Sequence, residues 1–182
     1  MKKIIIAIDS FKGCLTSAEA GKAAEKGIKS INPSCHTSVI PIADGGEGLL
    51  DVLITATKGK YITLSAHGPL MKMAKTHYGL SGNGRTAIIE MAAISGLPLV
   101  PIEQRNPMLT TTFGTGELIK DALNKGCRNF IIGIGGSATN DAGLGMLQAL
   151  GFRFLDKSGH TLGTGGQIME AVANIDTSGI HP

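Results

Sequence analysis

The sequence predicts an α/β fold: a Rossmann-like domain built on a parallel sheet and carrying an inserted β-rich or mixed second domain. Two observations predict the parallel part. Residues 3–8 form a continuous β-branched run of the kind a strand buried on both faces requires, and a helical pattern follows them. The same pairing of strand and helix through a loop then recurs twice. A third observation predicts the insertion, because residues 60–92 hold three short strand-like runs with Gly82-Asn83-Gly84 as a hairpin turn. The division that follows places 1–58 and 111–182 in a discontinuous Rossmann-like domain and 59–110 in part of the insertion.

In the first unit, Thr16 and Glu19 have capping-box spacing, and Ala20, Ala23, Ala24, Gly27, Ile28 and Ile31 recur at helical intervals until Asn32-Pro33 stops them. The second unit runs as a strand over 37–42, a loop over 43–48 and an apolar helix over 49–57, ended by Lys58-Gly59. The third begins with a helix over 116–125, capped by Thr115 and closed by Gly126. It continues as a strand over 129–134, a loop over 135–140 and a helix over 141–150. Strands at 61–65, 75–80 and 85–91 make up the meander between the units.

Composition narrows the function classes. The chain has 182 residues, 42% apolar and 17% charged, which suits a packed globular protein. Its net charge of +3 is spread without a basic run, and aromatic residues make up only 4%, so nothing marks a nucleic-acid surface. The apolar start is interrupted at Asp9 and reads as a strand and not a secretory signal, and no apolar stretch approaches the roughly 20 residues of a bilayer span. Cys14, Cys35 and Cys127 are odd in number and form no CxxC, as expected of a reduced, cytoplasmic protein. His36, His67, His77, His160 and His181 lack the spacing of a zinc site or a catalytic triad.

Ligands of open parallel sheets bind beyond the carboxyl ends of the strands, and three loops there carry unusual residues. In the loop 135–140, Gly135-Gly136-Ser137-Ala138-Thr139-Asn140 has the glycines of a backbone phosphate cradle at a helix start, or of a tight turn with Asn140 or Asp141 as helix cap. It fits neither GxGxxG nor the P-loop pattern in register. Asp44 and Glu47 flank Gly45-Gly46 and are spaced to hold a hard cation such as Mg²⁺, or to cap and charge the next helix. Lys12 follows Asp9-Ser10-Phe11 at a strand end, where an ammonium either meets a transferring phosphoryl group or is simply solvated.

Six blocks carry a resemblance to the glycerate kinase family, of the bacterial glycerate 2-kinase kind. They are Asp9-Ser10-Phe11-Lys12-Gly13, Ala43-Asp44-Gly45-Gly46-Glu47-Gly48, Thr86-Ala87-Ile88-Ile89-Glu90-Met91-Ala92, Arg105-Asn106-Pro107, the run 110–119 from Thr110, and the run 133–141 ending Thr139-Asn140-Asp141. The resemblance implies ATP-dependent phosphorylation of glycerate to phosphoglycerate, 2-phosphoglycerate in preference to 3-, in a cleft between two α/β domains. It implies ATP and Mg²⁺ as cofactors, with Asp44 and Glu47 at the metal. Asp9, Lys12 and Asp141 are implied as catalytic, and Ser10, Gly45, Gly46, Gly135, Gly136, Ser137, Thr139 and Asn140 as binding substrate or nucleotide. Family members are about twice as long, so a second half, in the same or another chain, or self-association is expected. The alternative is a noncatalytic remnant that binds a phosphate or small hydroxy acid. Ala142 departs from the family, which has Gly there, as does Cys14, where Ser is usual.

Overall fold

The computed structural model describes residues 3–182; Met1 and Lys2 lie outside them. The described residues form a mixed α/β structure with eight strands in three sheets. Strand β1 (Lys3–Ile6) pairs in parallel with β2 (His36–Val39), Ile4 opposite Thr37, and helix α1 (Ser17–Ile31) connects them. Helix α2 (Leu49–Thr57) leads into the largest sheet, whose order is β3 (Lys60–His67), β4 (Met73–Leu80), β5 (Thr86–Glu90) and β6 (Asn129–Gly133). The first three of these strands are antiparallel neighbours, whereas β6 lies parallel to β5 with Glu90 opposite Gly133. Between β5 and β6 come the short α3 (Ala92–Ser95) and the longer α4 (Phe113–Asn124). Helix α5 (Leu144–Ala149) and the antiparallel pair β7 (Arg153–Leu155) and β8 (Asn174–Asp176) complete the chain.

Alternation along β5 explains why this sheet is covered on both faces. Ile88 and Ile89 are fully buried but point to opposite sides. Ile89 joins Ala66, Tyr78, Ile94, Leu118 and Cys127 against α4, and Ile88 joins Leu50 and Ile54 of α2. Burying each such isoleucine contributes about 1.5–3 kcal/mol, so β5 joins the two cores of the fold. Tyr78 reaches through the larger core and donates its hydroxyl to Asp121 Oδ2 at 2.8 Å. Burial pushes the thiol of Cys127 up.

Two expectations meet a different arrangement. Among the described residues parallel pairing is confined to β1 with β2 and β5 with β6, and β6 joins the meander's sheet, which therefore crosses the division drawn at 110/111. Periodicity reports that a strand is apolar and says nothing of which edge it will choose. Strand β1 is also not buried on both faces: Ile6 is 6% exposed, but Ile5, which points to the opposite face, is 60% exposed. Ile40, Ile42, Ile131 and Ile134 are exposed as well.

Local signals fared better. The capping box is present, with Glu19 N–H donating to Thr16 Oγ1 at 3.2 Å and Thr16 N–H to Glu19 Oε2 at 2.8 Å. Helix α2 has the expected bounds, α4 begins three residues before the expected start, and α5 begins at Leu144 instead of Asp141.

Candidate functional site

The three loops singled out by the sequence are linked to one another. Loop 43–48 and loop 135–140 touch backbone to backbone: Gly135 N–H donates to Gly45 O at 3.1 Å. A Cβ on Gly135 would stand 2.7 Å from Gly46 Cα, so the approach requires glycine there. The first loop is tied to the second through Ser17, which donates to Ile8 O at 2.6 Å and accepts from Ile42 N–H at 2.9 Å.

Within the first loop, Phe11 and Leu15 pair across a tight turn, Phe11 N–H donating to Leu15 O at 2.8 Å. Gly13 takes φ +70 at its tip, and Lys12 beside it is exposed, with no ion pair among the described residues. Asp9 Oδ1 accepts from Ser10 N–H at 2.7 Å, which fixes the carboxylate and leaves Oδ2 open. Asp44 and Glu47 are both exposed, and Asp44 Oδ1 accepts from Gly46 N–H at 3.0 Å. Neither caps α2, whose N-cap is Gly48 at φ 87.

Loop 135–140 spends half of its backbone donors internally. Gly135 N–H goes to Gly45, Ala138 N–H to Ser95 O at 2.9 Å and Thr139 N–H to Ser137 Oγ at 2.9 Å. The N–H groups of Gly136, Ser137 and Asn140 have no partner among the described residues. Gly136 takes φ +74, a left-handed conformation that favours glycine. The helix start is not available to an anion, because Asp141 fills it: its carboxylate accepts from Gly143 N–H at 3.0 Å and Gly145 N–H at 3.2 Å.

Asp141 also binds backward. Its Oδ2 accepts from Thr112 N–H at 2.8 Å, Thr112 Oγ1 at 2.9 Å and Thr111 Oγ1 at 3.2 Å. The side chain is 1% exposed. Its geometry is therefore that of a pin between the start of α4 and the start of α5. That pin explains the shifted ends, since Thr112 and not Thr115 is the N-cap of α4. Ala142 is forced to φ 51 as the chain turns away from it.

A cleft of about 410 Å³ opens between the first two loops, with Ser10, Glu47, Asp51, His77 and Glu90 among its lining. Glu90 was not singled out by the sequence as a site residue. It stands at the end of β5, and its Oε2 accepts from Leu50 N–H at 3.3 Å. Burial pushes its carboxyl up, the N–H groups of Leu50 and Gly48 oppose this, and the charges of Asp51 and Glu47 add to it. The one signal that could have found it is a carboxylate ending an otherwise apolar strand. Asp51 is held by Tyr61, whose hydroxyl donates to it at 2.6 Å and is itself pushed up to about 12, chiefly by this bond.

Among the described residues no three His, Cys, Asp or Glu side chains gather to hold a metal ion. The exposed pair Asp44 and Glu47 offers hard oxygen donors, and Mg²⁺ is commonly bound through one or two carboxylates with water and phosphate oxygens completing its shell, so the donor set fits.

The chain matches the model of the glycerate kinase family over residues 4–182. It is 54% identical over 178 residues to the glycerate kinase of Bacillus subtilis (strain 168), covering 98% of this chain and 47% of that protein. It is 49% identical over 180 residues to the glycerate 2-kinase of Escherichia coli (strain K12), covering 99% and 47%. A crystal structure of a Salmonella typhimurium LT2 protein carrying the glycerate kinase 2 designation superposes with a TM-score of 0.84 at 49% identity, over 98% of this chain and 48% of that one. The chain thus spans about half the length of the curated relatives it matches. The chain belongs to the glycerate kinase family.

Proposed function

We propose that these residues carry the phosphoryl-transfer loops of an ATP-dependent glycerate kinase, acting in the cytoplasm and forming 2-phosphoglycerate in preference to 3-phosphoglycerate. The observation that supports this reading is the contact between Gly45-Gly46 and Gly135, which joins the loop bearing Asp44 and Glu47 to the loop whose Gly136, Ser137 and Asn140 donors have no partner among the described residues. The name of the Escherichia coli relative, glycerate 2-kinase, supports the choice of hydroxyl.

In the reaction a hydroxyl oxygen of glycerate bonds to the γ-phosphorus of ATP, the bond to the ADP oxygen breaks, and the hydroxyl proton passes to a carboxylate. Such transfer needs positioning and electrostatics and no covalent nucleophile. Lys12 brings its ammonium to the transferring group, and the N–H groups of Gly136, Ser137 and Asn140 receive phosphate oxygens, with Thr139 shaping the loop. Ser10, in the cleft, binds substrate. Asp9 Oδ2 takes the proton. Asp44 and Glu47 would hold Mg²⁺, which when bound neutralises phosphate charge. Asp141 acts by fixing the geometry around Thr112 and not by touching substrate.

Because the match covers about half of each relative, turnover by the 182 residues alone is the point to test. A coupled ADP-release assay with Mg-ATP and glycerate, run beside thermal-shift titrations, decides it. Turnover near 1 s⁻¹ or faster, the low end of the usual enzyme range, supports the kinase reading for this chain alone. Ligand-induced stabilisation without turnover supports a binding unit for a phosphate or small hydroxy acid. Neither response to Mg-ATP nor to glycerate overturns both.

A further inference from the structure

Helix α2 begins without a side-chain cap of its own: its N-cap is Gly48, and the nearby loop supplies only the carbonyl of Gly46, which accepts the Leu49 N–H at 3.3 Å. The first turn of a helix leaves N–H groups that need acceptors, and an anion there also gains from the helix dipole. The Leu50 N–H finds its acceptor 40 residues away, in Glu90 Oε2 at 3.3 Å, and the nearby backbone of Gly48 favours the ionised form of the same carboxylate. Glu90 ends β5, directly after the fully buried Ala87, Ile88 and Ile89.

Its position in the register gives the contact a further consequence. Glu90 lies opposite Gly133, the last residue of β6, from which loop 135–140 departs. Gly133 in turn underlies loop 43–48, since a Cβ there would stand 2.6 Å from Gly45 O and collide with Leu49. The paired ends of β5 and β6 therefore carry the anchor of the carboxylate loop and the base of the glycine-rich loop side by side. We propose that Glu90 is a positioning residue, a cap supplied to α2 from the distant strand β5 of the same chain, that holds Asp44 and Glu47 in fixed register against loop 135–140. The inference rests on the reading of those two carboxylates as the Mg²⁺ ligands only for its effect on the metal; the anchoring itself is independent of that reading.

The test compares Glu90→Ala and Glu90→Gln with the unmodified 182-residue chain by amide hydrogen exchange, together with Mg²⁺ titrations of Mg-ATP stabilisation. Glu90→Ala should speed exchange at Gly48 and Leu50 by about tenfold or more, the amount a lost bond to a charged acceptor permits, while the amides of β3 and β4 change by less than about threefold. Glu90→Gln keeps an acceptor oxygen and should recover most of the protection, and it remains informative if the alanine variant folds poorly. The half-point in Mg²⁺ should rise several-fold in Glu90→Ala and return toward normal in Glu90→Gln. Exchange at Gly48 and Leu50 unchanged in both variants would overturn the anchoring. An unmodified chain that shows no Mg²⁺-dependent response, with exchange altered as expected, would sink the metal reading and leave the anchor standing.

Discussion

Removing the Asp141 carboxylate should unfold this chain more readily than removing any proposed substrate-facing group. In Asp141→Ala three backbone donors, those of Thr112, Gly143 and Gly145, lose their acceptor in a site that is 1% exposed. Each buried, unsatisfied N–H costs about 1–3 kcal/mol. Some of that returns if water enters the space, so the expected loss is roughly 3–5 kcal/mol, a large share of the 5–15 kcal/mol that usually holds a domain together. At about 2–4 °C per kcal/mol for a chain of this size, the melting temperature should fall by roughly 6–20 °C. Asp141→Asn keeps one oxygen but turns an amide NH₂ toward a backbone donor, and should lose about 1–3 kcal/mol. Because the chain has no Trp, urea and thermal unfolding followed by far-ultraviolet circular dichroism are the assay. An unfolding free energy for Asp141→Ala within about 1 kcal/mol of the unmodified chain would refute the pin and return Asp141 to the list of groups that serve the ligand.

Other substitutions should separate fold from chemistry. Lys12→Ala, at an exposed turn tip, should leave the melting temperature unchanged but cut kcat about 100-fold in a full-length relative carrying the same Asp-Ser-Phe-Lys-Gly stretch; activity within a few-fold of normal would remove Lys12 from the mechanism. Asp44→Asn and Glu47→Gln should raise the Mg²⁺ needed for half-maximal response, and an unchanged titration would count against both as ligands. Ala142→Gly relieves a left-handed backbone conformation (φ 51) that costs a side-chain-bearing residue about 1–2 kcal/mol. After the added freedom of glycine in the unfolded chain is subtracted, it should stabilise by about 0.5–1 kcal/mol, and a loss of stability would show that the methyl group makes a needed contact. Both tyrosines are held above their ordinary value, Tyr61 at about 12 chiefly by Asp51 and Tyr78 by burial first and then Asp121. A raised folded value means that this stabilisation is full below pH ~10 and is lost as pH rises through the folded value. Absorbance at about 295 nm should therefore show little tyrosinate near pH 10 while the chain is folded, and a midpoint at 10 would contradict both contacts.

What the sequence determined by itself was whatever depends on neighbours along the chain. Thr16 and Glu19 cap α1 because a capping box needs only three residues of separation. The bounds of α2 and the turn before β5 were legible for the same reason, and the loops joined by Gly45 and Gly135 were legible as glycine-rich strand ends. The family followed from blocks in order along the whole chain. The tertiary structure alone decided which partner each group takes. Strand β6 pairs with β5, satisfying the backbone N–H and C=O groups on that strand's second edge, a choice that hydrophobic period does not encode. Asp141, with the composition of a ligand-binding carboxylate, became a buried pin because its donors lie 29 and 30 residues back, at Thr112 and Thr111. Glu90, 40 residues from Leu50, became the cap of a helix it does not belong to. Hydrogen-bond donors left over by local structure must be satisfied by whatever acceptor folding brings near, and that acceptor is chosen in space and not along the sequence.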